Sequence, residues 1–272
     1  MLKLICADIY RILRGKGIYI TFAVLLAMGA LVVFASQAGG GVGGVSFTPE
    51  SAAEAVDAFR EAIEPGINAA TIPGILAISM ENFSFFLLPI IIIVAGTIFS
   101  NGTVKNDISW GTSRTKLYFS KLILGVLLSI VMLIFYVGSS MIMAAIVGGF
   151  GSPVPDGHWI GLLQIYSAQL VLLIALVSIG VFLAFTTKRT AAVNGAYIAF
   201  CLVPPLLISL LAIANENIVR LFEYDLLSNI MGLANLPSMG TAEILRALSV
   251  GVFWLVVSTV AGVALFKRAE LK

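Results

Sequence analysis

Six runs of apolar residues constrain the fold of this chain more than any other feature. A helix of about twenty apolar residues crosses the ~30 Å hydrocarbon core of a bilayer and satisfies its own backbone hydrogen bonds there. Only 11% of the 272 residues are charged and the mean hydropathy is +1.06, so most of the surface must face lipid. We predict an all-α polytopic membrane protein, with residues 1–272 forming a single transmembrane domain. The six predicted spans cover residues 18–36, 83–100, 119–148, 159–186, 191–213 and 249–266.

The first apolar run requires a choice between a span and a cleaved signal peptide. The basic residues before it resemble the n-region of a signal sequence. The run from Ile18 to Ala35 is nevertheless longer than a usual signal h-region and long enough to cross the bilayer. We expect it to be retained as the first transmembrane helix.

Basic residues are distributed unevenly between the two sides that six spans define. Of the sixteen lysines and arginines, only Arg60, Arg220 and Arg246 fall in the segments 37–82 and 206–248. The other thirteen fall on the side that holds both termini, the segment after span two and the turn after span four. By the positive-inside rule we expect both termini in the cytoplasm and the segments 37–82 and 206–248 outside the cell.

Residues 1–16 have the pattern of an amphipathic helix. Leu2, Ile5, Ile9 and Ile12 recur at helical spacing, and the basic residues lie elsewhere. The pattern predicts an interfacial helix on the cytoplasmic leaflet ahead of span one. A frayed basic tail is the alternative.

The outer segments contain two further structural signals. A Gly-rich linker after span one precedes residues 48–66, which have the cap and stop residues of a short helix. In span five, Pro204 and Pro205 have no backbone N–H to donate, so we expect the helix to bend or break there. Residues 206–248 would then form a long outer excursion.

The residue inventory argues against catalysis by this chain. One histidine, His158, cannot supply a HExxH zinc site. The two cysteines, Cys6 and Cys201, lie far apart in the predicted topology and imply no disulfide framework. The nucleotide-binding pattern GxxxxGK[ST] does not occur in the sequence. We therefore expect no enzyme activity, no metal and no cofactor on this chain.

A few strongly polar residues lie in or beside the predicted spans. Glu81 and Asn82 stand at the outer entry of span two, and Gln164 and Gln169 lie in span four. They are candidates for a translocation path, because polar groups in a membrane mark such paths. The alternatives are helix–helix hydrogen bonding for the glutamines and interfacial solvation for Glu81.

A polar, basic segment separates the second and third spans. It reads FSNGTVKNDISWGTSRTKLYFSKL over residues 99–122, and FKRAELK follows the last span. The chain also has six predicted spans, termini expected in the cytoplasm, a predicted N-terminal interfacial helix and no nucleotide site. In these features and in the two segments, it resembles the permease subunits of ABC-2 type ABC transporters.

The resemblance implies a partner that hydrolyses ATP. Members of that family work as permease dimers, either homodimers or pairs of similar subunits. Two separately encoded ATPase subunits bind ATP and Mg²⁺ and drive the dimer. Each permease inserts a coupling helix into a groove on the ATPase. In this sequence that helix would cover 103–113, within a cytoplasmic loop at 101–118.

The coupling residues carried over from the family lie in that loop: Lys105, Asn106, Asp107, Ile108, Trp110, Ser113 and Arg114. Ile108 and Trp110 are large apolar groups in a water-facing segment, and such groups are common anchors at protein interfaces. The alternative is that Trp110 and the basic residues only hold the loop in the membrane interface. Arg114, Lys116 and Lys121 are expected near phospholipid headgroups.

The resemblance also implies an exporter in the bacterial plasma membrane, with membrane lipid and no nucleic acid among its partners. Short chains with a Gly-rich outer loop resemble permeases for antimicrobial or amphipathic peptides and hydrophobic toxins. Drugs and lipids are alternative substrates. An ion-coupled secondary transporter and a non-transporting membrane anchor or regulatory subunit are the alternative functions.

Small residues recur at four-residue spacing in three of the spans. The sets are Ser140-Ala144-Gly148, Gly180-Ala184 and Ser258-Gly262. Such spacing permits close approach of helices. The sequence leaves open whether these residues form a dimer seam or pack helices within one chain.

Overall fold

The computed structural model describes residues 2–37, 67–100, 102–109, 112–151, 157–214 and 216–269. Every regular element in these residues is helical. Six helices are long and apolar enough to cross a membrane, which confirms the predicted all-α, six-span class. Those spans are Lys16–Ala35, Met80–Phe99, Arg114–Gly148, His158–Thr187, Thr190–Ile213 and Thr241–Arg268.

Eleven α-helices are assigned within the described residues. In chain order they are α1 Leu2–Arg14, α2 Lys16–Gln37, α3 Ile72–Ile78, α4 Met80–Ile91, α5 Thr97–Ser100, α6 Thr103–Ser109, α7 Arg114–Gly148, α8 His158–Thr187, α9 Thr190–Ala214, α10 Leu226–Gly232 and α11 Thr241–Arg268. A π-helical turn, Ile92–Gly96, joins α4 to α5, and 3₁₀ turns at Glu216–Tyr224 and Leu233–Ser238 flank α10. The short outer helix predicted within 48–66 lies outside the described residues.

The third and last spans begin earlier than their hydropathy predicts. Helix α7 starts at Arg114 because the Ser113 Oγ accepts the Lys116 amide at 3.4 Å and caps the first turn. Helix α11 starts at Thr241, where the Glu243 carboxylate accepts the Gly240 amide at 3.1 Å. A hydropathy window detects the lipid-embedded part of a helix and misses the polar turns that extend it.

Span five, in which a bend or a break was expected at the two prolines, is not broken there. Helix α9 continues through Pro204 and Pro205 as far as Ala214, so residues 206–214 extend the span instead of opening the outer excursion. The missing proline N–H groups are tolerated in membrane helices where side chains and neighbouring helices compensate locally. Just beyond the prolines, Ser209 donates its Oγ to the Pro205 carbonyl at 2.9 Å, a side-chain bond within the continuing helix.

Helix α8 is the centre of the bundle. It packs most extensively against α11 and also contacts α4, α7 and α9. Its glycine at position 180 faces Ile91 of α4 so closely that a Cβ there would overlap the isoleucine side chain. Ser178 on the same helix hydrogen-bonds Ser258 of α11 at 2.7 Å.

The small residues at four-residue spacing pack helices within this one chain. Ser140, Ala144 and Ser258 are at most 4% exposed. Gly180 and Gly262 are buried against Ile91 and Tyr118 respectively. The sequence left internal packing and a dimer seam as alternatives, and the structure assigns the buried positions to internal packing, whereas Gly148 is exposed.

Substitution of Gly262 by alanine is expected to destabilise the bundle by roughly 1–3 kcal/mol, the usual cost of overpacking a core. A Cβ at Gly262 would overlap the Tyr118 ring, which is fully buried and contacts Phe185. The measurement is the thermal unfolding midpoint of the purified protein in detergent. Gly138→Ala is the matched control, because space around that helical glycine is open. Equal midpoints for the two variants would contradict the proposed packing.

Candidate functional site at the basic end

The fold collects basic segments that are distant in sequence at one end of the bundle. We call this the basic end, and among the described residues it comprises α1, the start of α2, residues 97–100, 102–109, 112–121, 185–190 and 266–269. The Phe185 ring joins several of these segments, with its centroid 5.2 Å from that of Phe99 and 4.7 Å from that of Phe266. Both described ends of the chain therefore lie on the side of the bundle that carries the predicted coupling segment.

Helix α1 docks on the basic end through an acidic residue on its apolar face. Asp8 lies one helical turn from Ile12, and both are less than 8% exposed. The Asp8 carboxylate accepts the Lys121 ammonium of α7 at 2.6 Å and the Arg11 guanidinium at 3.0 Å. The sequence pattern already placed Asp8 on the face of Ile5 and Ile12, which was the available signal for this contact.

Lys121 is fully buried in the bundle, so its expected position near lipid headgroups is wrong. The ammonium is stable there because Asp8, 113 positions away in sequence, supplies the opposite charge. Removing one partner of a buried ion pair leaves an uncompensated charge in a medium of low dielectric constant. The pair therefore fixes α1 against the first turns of α7.

Arg114 links the start of α7 to the end of α11. Its Nη1 lies 3.2 Å from the Phe266 carbonyl oxygen, 2.8 Å from that of Lys267 and 2.7 Å from that of Ala269. Carbonyl groups in the last turn of a helix have no partner within the helix, and a cation is favourable at that terminus. Arg114, predicted as a coupling residue, therefore makes a C-terminal cap for the last span.

Replacing Arg114 by glutamine is expected to loosen the last turn of α11, because hydrogen bonds to a charged donor are worth roughly 1.5–3 kcal/mol each. Hydrogen–deuterium exchange should rise at the Ala269 amide, which donates to the Leu265 carbonyl at 3.0 Å. Lys116→Gln removes an exposed cation from the same turn of α7 and should leave this exchange unchanged. Unchanged exchange in Arg114→Gln would contradict the capping role.

The predicted coupling segment forms a short helix, α6, beside the bundle. Val104 is 3% exposed and Ile108 packs against the hydrophobic core, so one face of α6 contacts this chain itself. Thr103 donates its Oγ1 to the Ile98 carbonyl at 3.2 Å. Ser109 is exposed at the end of the helix. A force applied to α6 would therefore reach α5 and the core directly.

The remaining predicted coupling residues are placed only in part. The backbones of Lys105, Asn106 and Asp107 belong to α6, whereas Trp110 lies outside the described residues. Ser113 caps α7 as noted above. Of the predicted coupling positions, the structure thus places the backbones of residues 105–107 and the residues Ile108, Ser113 and Arg114 at the basic end.

Span two contains an irregular joint just before the coupling segment. Pro89 lies inside α4, and Ile92–Gly96 forms a π-helical turn three residues later. A proline removes one backbone hydrogen bond, and π-helical turns within α-helices occur frequently at functional sites. Span two thus departs from regular α-helical hydrogen bonding between Pro89 and its last turn, Thr97–Ser100.

The predicted translocation residues lie at the other half of the bundle and do not line one common surface. Gln169 is fully buried and donates its Nε2 to the Ala77 and Ile230 carbonyls, both at 2.8 Å. Gln164 is exposed on another face of α8. The geometry makes Gln169 a tie between α8, α3 and α10, in agreement with the alternative of helix–helix hydrogen bonding.

At the entry of span two, Glu81 is 6% exposed and Asn82 is half-buried. The Glu81 Oε1 has no hydrogen-bond partner within the part of the chain that the structure describes. Glu81 stands in the first turn of α4, after Ser79, which separates α4 from α3. The structure therefore places the Glu81 side chain inside the bundle, whereas Gln164 lies on its surface.

The excursion, which in the described residues covers 216–240, packs over this half of the bundle and makes its own hydrogen bonds. Asp225 begins α10, and its Oδ2 accepts the backbone amide and the hydroxyl of Ser228, both at 2.9 Å. Burial raises the pKa of the Asp225 carboxyl above its ordinary value, and the bonds from Ser228 oppose that shift. Arg246 pairs with Glu223 at 2.6 Å and links the excursion to α11.

Comparison with protein-family models and with curated proteins finds no match for this chain.

Proposed function

We propose that this chain is the membrane permease subunit of an ATP-driven exporter of the ABC-2 type, in the bacterial plasma membrane with its basic end in the cytoplasm. ATP hydrolysis takes place on separate ATPase subunits. One observation carries the proposal. The polar segment between spans two and three contains a short helix, α6, that lies at the same end as both described ends of the chain and packs on the core through Val104 and Ile108.

The proposed mechanism follows from the connections of α6. Movement of the ATPase displaces α6, and the joint at Ile92–Gly96 lets the end of span two move with it. The same displacement reaches α7, which is tied to α11 by Arg114 and to α1 by Lys121. Two permease copies, identical or similar, expose a cavity between them alternately to each side.

The proposed substrates are amphipathic antimicrobial peptides or hydrophobic toxins. Large apolar side chains are exposed along several spans, for example Ile134, Leu210 and Phe253. An exporter of amphipathic substrates can accept them from the membrane through such surfaces. Substrate-stimulated ATP hydrolysis, measured with peptides, drugs and lipids in turn, distinguishes these classes.

The proposal is tested by co-expression of this chain with an ABC ATPase encoded beside it. An affinity tag on the permease should retain the ATPase in about equal amount, and the complex should hydrolyse ATP faster when substrate is added. A permease that purifies alone, and an ATPase whose activity is independent of it, would indicate an anchor, a regulator or an ion-coupled transporter instead.

A second candidate, an ion-coupled transporter, is favoured by the burial of Glu81. A buried carboxylate in a span is a common carrier of a coupling proton or cation. Glu81→Gln, which removes the charge and keeps the shape, would abolish ion-driven uptake or efflux in proteoliposomes if this candidate were correct. Under the ABC proposal, the same variant should keep the rate of ATP-driven transport within about two-fold, because that transport does not require Glu81 to bind a coupling ion.

A further inference from the structure

An open groove runs along the surface between α7 and α11 at the basic end. Phe119 of α7 lines one side, Val260 and Val263 of α11 line the other, and Lys267 and Arg268 stand at its end. Its volume is about 450 Å³, within the roughly 300–1,000 Å³ of typical small-molecule sites. The groove is therefore apolar along its length and cationic at one terminus.

The packing of the two helices explains the groove. The helices touch closely at Gly262 and Tyr118, and the groove lies beside that contact, where neither helix fills the space. Arg114 holds the last turn of α11 through its carbonyl oxygens, which fixes the backbone that carries the two cations. Both cationic residues are exposed.

This combination matches one class of ligand. An apolar channel open to lipid accepts an acyl chain, and two adjacent cations at its end attract a phosphate group. We propose that the groove binds an anionic phospholipid of the leaflet at the basic end, with one acyl chain along Phe119 and Val263 and the headgroup phosphate at Lys267 and Arg268.

Charge argues against a second copy of this chain as the occupant. A two-fold symmetric contact places the same surface of both copies against each other. In that arrangement the Lys267 and Arg268 of one copy would approach those of the other. Like charges in an interface are unfavourable, whereas a phosphate neutralises both cations.

Native mass spectrometry of the purified protein in mixed phosphatidylglycerol and phosphatidylcholine tests the proposal. The intact protein should retain phosphatidylglycerol preferentially. One cation near an anionic headgroup contributes about five-fold in affinity, so Lys267→Gln/Arg268→Gln should lower that retention roughly 25-fold. Arg189→Gln, an exposed cation at the same end and outside the groove, should leave it unchanged.

Three further experiments distinguish the phospholipid from a free phosphate compound and from a second copy of this chain as the occupant of the groove. Glycerol phosphate added without acyl chains should not compete, because the apolar part of the groove would stay empty. A bulky Val263→Trp change should displace the lipid while both cations remain. The proposal is overturned if phosphatidylcholine is retained equally, if the double variant keeps its lipid, if glycerol phosphate alone competes, or if cysteines at position 260 of two copies cross-link efficiently in membranes.

Discussion

Exchange of Asp8 for asparagine is expected to destabilise the basic end by roughly 3–5 kcal/mol, the usual cost of removing one charged partner from a buried ion pair. The change leaves the Lys121 ammonium, fully buried and 2.6 Å from the lost carboxylate, without its opposite charge. Helix α1 should detach from α7. The measurement is the thermal unfolding midpoint together with protease cleavage within residues 1–16.

Two controls isolate the ion pair from the general effect of changing α1. Arg11 is the second partner of Asp8, and the Arg11 side chain is 40% exposed. The variant Arg11→Gln should therefore lower the free energy of unfolding by less than about 1 kcal/mol. The double variant Asp8→Ala/Lys121→Met removes both buried charges and should recover most of the lost stability. A double variant as unstable as Asp8→Asn would contradict the ion-pair account.

Under the proposed function, Trp110→Ala is expected to uncouple this chain from the ATPase. If Trp110 is an interface anchor, its truncation costs about 2 kcal/mol or more. This corresponds to an affinity loss of about thirty-fold. ATPase co-purification and ATP-driven transport should both fall by at least ten-fold. The thermal midpoint of the permease alone should stay the same, because the effect lies in the partner contact.

The matched control for this prediction is Trp159→Ala. Trp159 is 49% exposed at the start of α8, at the other end of the bundle. Loss of a large exposed aromatic residue there should leave ATPase binding and transport unchanged. If both tryptophan variants bind the ATPase normally, Trp110 is a membrane-interface anchor and the coupling proposal loses its main contact.

The class of the fold was predictable from sequence because one physical quantity decides it. Apolar length is a local property, and each run long enough to span a bilayer is visible without knowledge of its neighbours. The amphipathic pattern of α1 is local in the same way. The helix boundaries were less predictable, since the caps at Ser113 and Gly240 lie outside the apolar runs.

The contacts at the basic end were not predictable, because each depends on two residues that are far apart in sequence. Lys121 was assigned to lipid headgroups because its pairing with Asp8 cannot be read from either segment alone. Arg114 was assigned to coupling, whereas its guanidinium reaches carbonyls 152 to 155 positions away. Similarly, only the packed bundle distinguishes a buried tie at Gln169 from an exposed Gln164.

The most direct test of the central claim is a cysteine cross-link between α6 and the ATPase in native membranes. Ser109, exposed at the end of α6, is changed to cysteine in a chain whose Cys6 and Cys201 have been replaced. The account predicts an efficient cross-link from position 109 to the ATPase subunit and none from position 159. A cross-link from a cysteine at position 159 to the ATPase would contradict it. So would labelling of the cysteine at position 109 by a membrane-impermeant thiol reagent added outside the cell.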